Sequence, residues 1–186
     1  MMNIFRRRAP RVATIEALYG AIVAQARDPA FYRDYRVPDT VNGRLDLLML
    51  HLALAFARLA QGGDEMRALG QELFDRFCRD MDDHMREDGI SDLKVPKEMR
   101  KVAAAFFGRH GSYLAALKAN DCRALEAALR RNVYQETPDT PQASRLAAYV
   151  VAASQALAAQ DVVAVAARPA WPDPVEISDI SQEVGS

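Results

Sequence analysis

Cysteine is scarce in this chain: Cys78 and Cys122 are its two cysteines among 186 residues. They stand far apart and form no C-x-x-C pair. That argues against a disulfide scaffold or a cysteine-built zinc site, and it fits a reducing compartment. Both thiols are expected to be buried or half-buried, as free cysteines usually are. Long apolar runs are missing too. The longest, residues 45–57, contains Asp46 and His51 and falls short of the ~20 residues that span a bilayer. Net charge is nearly absent, at −1, so a wholly basic nucleic-acid binder is excluded and no nucleic-acid partner is expected. The start is basic but carries no apolar h-region, so no secretory leader is expected. The helical pattern begins too early to leave much room for a removable presequence. Sustained period-two alternation is absent, and with it any expectation of a sheet.

What remains is the composition of a soluble globular domain, 50% hydrophobic and 26% charged. Residues 12–27 place Val12, Ile15, Leu18, Ile22 and Val23 on one helical face, and Asp28-Pro29 breaks the pattern. "FYRDYRVPD" reads as a connector with room for one helical turn. Asp39 or Thr40 caps a second helix over residues 40–61, and Gly62-Gly63 ends it. This helix is apolar around most of its circumference, which places it in the middle of a bundle. Asp64 caps a third, with a spine of Met66, Leu69, Leu73, Phe77, Met81 and Met85 and an opposite face of i,i+4 charge pairs. A fourth opens at Pro96, a fifth follows Asn120-Asp121, and a sixth follows residues 138–141 and runs to 160 or 167. The expected architecture is all-α: a single bundle of about six helices over residues 12–167. A basic arm (1–11) precedes it, and a mobile tail rich in proline and acid (168–186) follows.

Chemical motifs are thin. Asp80, His84 and Glu87 fall on one helical face and give a metal-dependent enzyme as a third-ranked reading. No Glu-x-x-His supports it, and a salt-bridged solvated face is the simpler account. There is no G-x-S-x-G, no histidine motif near either cysteine and no phosphate loop. No catalytic residue, cofactor or metal is therefore expected, and the chain is read as a non-enzyme. Charge is segregated instead. The third helix is acidic, and Lys94, Lys97, Arg100 and Lys101 follow it at once. Arg6, Arg7, Arg8 and Arg11 in the arm are candidates for contact with an anionic membrane surface.

Two stretches carry a resemblance: "YRDYRVPDTVNGRLDLLMLH" (32–51) and "DMDDHMREDGISDLKVPKEMRK" (80–101), followed by "AFFGR" (105–109). In order and spacing they closely resemble the ubiquinol–cytochrome c chaperone family over about residues 18–134. His84-Met85 departs from the less polar pair expected there. The short, alanine- and arginine-rich chain looks like an α-proteobacterial member. The resemblance implies a non-catalytic factor for assembly of the cytochrome bc1 complex, with newly made cytochrome b or another bc1 subunit as partner. Mitochondrial members act with a small partner protein at the ribosome. The expected location is cytoplasmic, with peripheral contact at the inner face of the membrane through the basic arm.

Candidate partner contacts follow. Arg44, His51 and Arg58 recur at sevens, which drift by only ~20° per heptad on a helix, and are expected to edge a groove for an apolar client helix. Asp80, Asp83, Lys94, Lys97 and Lys101 lie in the family-like stretch. A plainer reading has Arg44 and His51 pairing with acids of the third helix. The alternative function is a lipid- or quinone-binding helical protein whose second helix lines a cavity.

Overall fold

The computed structural model describes residues 3–135 and 141–177, with side chains from residue 11 onward. Among the described residues every regular element is helical. The α-helices are α1 (Asn3–Ala26), α2 (Pro29–Arg33), α3 (Val41–Ala60), α4 (Asp64–Glu87), α5 (Val95–Lys118), α6 (Cys122–Val133), α7 (Gln142–Ala159) and α8 (Val162–Ala167). A 3-10 turn, Pro174–Glu176, follows.

The all-α architecture is as expected, with more helices. The "FYRDYRVPD" connector opens with the short α2, capped by Asp28, whose side chain accepts from the Ala30 N–H. The alanine-rich last helix divides, because the Asp161 carboxylate accepts from the N–H groups of Val163 and Ala164 and starts α8 anew. Residues 3–11, expected as a separate arm, are the opening turns of α1.

The tail also differs from expectation. Residues 168–177 lie against the bundle: the Tyr35 hydroxyl donates to the Pro174 carbonyl at 2.7 Å, and Arg145 Nε donates to the Ile177 carbonyl at 3.1 Å. Gln160 exchanges two side-chain hydrogen bonds with the Ala170 backbone. Polar composition suggested mobility, but the backbone groups of this strap find partners and Trp171 packs on both cores. Residues 136–140 and 178–186, including the proposed cap of the last helix and the tail's end, lie outside the described residues.

The second helix of the sequence reading, α3, is the axis of the fold, in contact with α1, α4, α5, α6, α7 and α8. Its apolar residues divide between two cores. Leu47, Leu50 and Leu54 join α2, α6 and α7. Met49, Leu52, Ala53, Ala55 and Leu59 join α1, α4 and α5, where Leu69, Leu73, Phe77 and Phe106 complete the packing. Leu48 touches both. Burial of each of these leucines stabilises the fold by roughly 1.5–3 kcal/mol.

Two polar side chains of α3 are buried, and each is accounted for. His51 is 0% exposed. Its Nδ1 lies 2.8 Å from the Leu47 carbonyl, which only accepts, so Nδ1 carries the proton. Nε2 then accepts from the Tyr149 hydroxyl at 2.8 Å, and the Tyr149 oxygen accepts from Gln25 Nε2 at 3.1 Å. The chain Gln25–Tyr149–His51–Leu47 thus links α1, α7 and α3, and Phe31 and Trp171 pack edge-on to the imidazole. Burial pushes the imidazole pKa down to about 4. Asp46 accepts from Arg109 of α5 at 2.6 Å. Burial outweighs the guanidinium's opposing pull and raises this carboxyl to about 6.

The start of α3 is fixed by Thr40, whose hydroxyl accepts from the Gly43 N–H. A Cβ on Gly43 would stand 1.9 Å from the Pro38 carbonyl oxygen. Gly43→Ala is therefore expected to destabilise the protein by about 1–3 kcal/mol through overpacking, read as a lower urea midpoint with unchanged m-value.

The two buried titratable groups oppose each other in acid. As pH falls from 6.5 towards 4, the unfolded chain protonates His51 and the folded chain does not, so His51 withdraws stability, on the order of 3 kcal/mol in all. Between pH 6 and 3.8 the folded chain protonates Asp46 ahead of the unfolded one, which adds a similar amount. Relative to wild type, His51→Gln should gain stability on acidification from about pH 7 to about pH 4.5 and Asp46→Asn should lose it. Urea unfolding at the two pH values reads both, and a pH-independent difference for either variant contradicts its assignment.

Candidate functional site

α1, α3 and α4 cover one another fully through their middles but part near one end. α1 stops at Ala26 because Asp28-Pro29 cannot continue it, and the last turns of α4 pass the first turns of α3. Between them opens a cleft of about 250 Å³. Its floor is apolar: Val23 and Ala26 from α1, Leu45 and Leu48 from α3, and Met81 from α4. Its rim is charged, with Arg27 and Arg44 on one side and Asp80, His84 and Asp88 contributed from α4 and its end.

The rim charges are held with different firmness. Arg44 Nε donates to Asp39 Oδ1 at 2.7 Å, but the two side chains are 59% and 58% exposed, so the pair is weak and its partner exchangeable. The Asp39 carboxyl is held below its usual range by that hydrogen bond. Asp80 is fixed: it accepts from the Tyr19 hydroxyl at 2.8 Å and lies 3.4 Å from Arg76, which also pairs with Glu16 and stacks over the Tyr19 ring. His84 Nδ1 hydrogen-bonds the Asp80 carbonyl at 2.7 Å. A firm acidic side therefore faces a soft basic one across an apolar floor.

The candidates read from the sequence separate accordingly. Arg44 and Asp80 meet in this cleft. His51 does not edge any groove: it is sealed in the core with both nitrogens bonded. Arg58 does not edge the cleft either. Its Nε and Nη2 donate to the carbonyls of Leu157 (2.9 Å) and Gln160 (2.7 Å), capping the end of α7. The three basic residues do share a strip, but the bundle buries its middle and ties its end to α7. Nor do Arg44 and His51 pair with acids of α4, since Asp39 and Tyr149 are their partners. Asp83, Lys94 and Lys97 are exposed outside the cleft. Lys101 pairs with Glu98 and lines a different concavity.

Arg11 Nε donates to Glu72 of α4 at 2.9 Å, and the side chains of Arg6, Arg7 and Arg8 lie outside the described residues. Cys78 is half-buried as expected, whereas Cys122 is exposed because it opens α6. Among the described residues no three His, Cys, Asp or Glu side chains gather to hold a metal, so Asp80, His84 and Glu87 do not form the ligand set considered above. No described helix is long and apolar enough to cross a membrane.

Sequence reasoning missed Arg27, Asp88, Val23 and Met81 as cleft residues. The usable signal was that the helix break at Asp28-Pro29 comes early, leaving α3 uncovered at its start.

Residues 33–171 match the ubiquinol–cytochrome C chaperone family. A Xenopus laevis protein named ubiquinol-cytochrome-c reductase complex assembly factor 1 is 23% identical over 125 residues, 67% of this chain and 62% of that protein. The match thus spans less than two thirds of that relative's length. The crystal structure of a Cbp3 homolog from Brucella abortus superimposes with a TM-score of 0.86 at 40% identity, covering 95% of this chain and 99% of that one. Both stretches that carried the resemblance fall wholly or almost wholly within the matched residues, and the chain belongs to the ubiquinol–cytochrome c chaperone family.

Proposed function

We propose that this chain is a non-catalytic chaperone for assembly of the ubiquinol–cytochrome c reductase (bc1) complex, and that the α1/α3/α4 cleft receives an apolar segment of newly made cytochrome b. The observation that carries the cleft assignment is its pairing of an uncovered apolar floor with a mixed-charge rim. A membrane-protein segment awaiting insertion has to hide an apolar face from water, while the polar residues at its ends need ionic partners. Leu45 and Leu48 supply the first need; Arg27, Arg44, Asp80 and Asp88 supply the second. Family membership supports the assembly role. A cytoplasmic location, peripheral at the inner membrane face, follows from where such a segment emerges. Asp83, Lys94 and Lys97, exposed in the family-like stretch, extend the proposed contact surface beyond the cleft. A lipid or quinone carrier draws no comparable support, because most apolar residues of α3 are engaged in the two cores.

The test is deletion of the gene in its source cell, followed by reduced-minus-oxidised spectra of the membranes. Loss of the b- and c1-type signals of the bc1 complex, restored by the wild-type gene, is expected. The double charge reversal Arg27→Glu/Arg44→Glu alters two exposed side chains and should leave helicity intact while failing to restore the signals. Normal spectra after deletion would overturn the assembly role. Full restoration by the double variant would leave the role standing and overturn the cleft.

A further inference from the structure

A second concavity, of about 390 Å³, opens where α3, α5 and α6 meet. Three cations line it, Lys101 and Arg109 from α5 and Arg131 from α6, together with the side-chain amides of Asn42, Asn132 and Gln135. Its one carboxylate, Asp46, is already committed to Arg109. The lining cations outnumber the lining carboxylate, with Lys101 shared with Glu98 at its edge.

Two features set these cations apart. Arg109 donates from Nη1 to Met49 and from Nη2 to Asp46, but its buried Nε has no hydrogen-bond partner. A buried donor without a partner is a cost to the empty protein that an acceptor reaching it would relieve. Arg131 makes no ion pair among the described residues, whereas its neighbour Arg130 is tied to Glu126. Arg131 does stand in the last turn of α6, where a cation complements the helix dipole. That accounts for one charge and not for the convergence of three from two helices. Lys101 is held by Glu98 on α5, outside the concavity.

We propose that this concavity binds a phosphate group. Guanidinium and ammonium donors from different directions, backed by neutral amides, suit a tetrahedral polyoxyanion such as a phosphate group. Leu45, Met49 and Val102 add an apolar margin. The phosphate group is that of a soluble phosphate compound or of a lipid headgroup; the chemistry of recognition is shared. The site borders the cleft at Leu45, but none of its cations lines the cleft, and it does not rest on the assembly role.

The test uses the full chain and two double variants of exposed residues. Lys101→Ala/Arg131→Ala removes two cations of the concavity, and Lys118→Ala/Arg123→Ala removes the same charge outside it. Calorimetry with inorganic phosphate should show binding that weakens about tenfold or more in the first variant, the scale of one lost charge-assisted hydrogen bond, and not in the second. Flotation with phosphatidylcholine vesicles, with and without phosphatidylglycerol, reads the headgroup source. Binding that requires the anionic lipid and fails in the first variant alone supports the proposal even where free phosphate does not bind. Equal loss in both variants, or no binding to phosphate and vesicles alike, overturns it. So does preference for a poly-glutamate peptide, which would assign the concavity to an acidic protein.

Discussion

A helix that is apolar around most of its circumference has to be covered on nearly every side, and α3 imposes that demand on the whole molecule. Among the described residues six helices pack on it, and the bundle forms two cores, with α3 as the wall between them and Leu48 and Trp171 touching both. Polar groups add a constraint on the rotation of α3 to the one that packing imposes. His51 Nε2 is satisfied only where Tyr149 of α7 reaches it, and Asp46 only where Arg109 of α5 does. Buried polar groups of this kind favour one rotation of the helix over its neighbours in energy.

Where that coverage gives out, the candidate site begins. α1 ends at the Asp28-Pro29 break before it reaches the start of α3, and α4 stands off at the same level. The half-buried Leu45 and Leu48 are consequently left facing a cleft, ringed by charges that the fold does not fully neutralise. A chaperone of a membrane protein needs a surface that is apolar enough to hold its client and polar enough to stay soluble when empty. On the reading proposed above, incomplete burial of one helix end would meet both requirements. The weak Arg44–Asp39 pair can yield to a client's acid at little cost, while Asp80 is locked by Tyr19 and Arg76 and offers a fixed point.

Much of this was legible in the sequence. The all-α class, a cap at Asp39 or Thr40, the turn at Asn120-Asp121, the stop at residues 62–63 and the central place of α3 follow from periodicity and turn chemistry, and Arg44 and Asp80 are both candidates on sequence alone. Rotation around the helix was not legible. Seven-residue spacing puts Arg44, His51 and Arg58 on one strip, but which neighbour covers the strip depends on α7, nearly a hundred residues away. A histidine that packs against Tyr149 reads the same as one that meets a ligand. The strap over residues 168–177 was missed for a related reason: its anchors are backbone carbonyls met by Tyr35 and Arg145, and composition carries no trace of them. The short α8 did have a local signal, Asp161 before two valines, outweighed by the alanine-rich pattern running through it.

The central claim is that the cleft, and not the surface at large, holds the client. The most direct measurement is site-specific photocrosslinking in the source cell, with the photoreactive side chain placed at Leu48 in the cleft or at the exposed Val163 of α8. A product from Leu48, identified as cytochrome b by mass spectrometry, is expected during synthesis of the bc1 complex, and none from Val163. Equal yields from the two positions, or no cytochrome b product from Leu48 in a cell whose bc1 complex is being assembled, would contradict it.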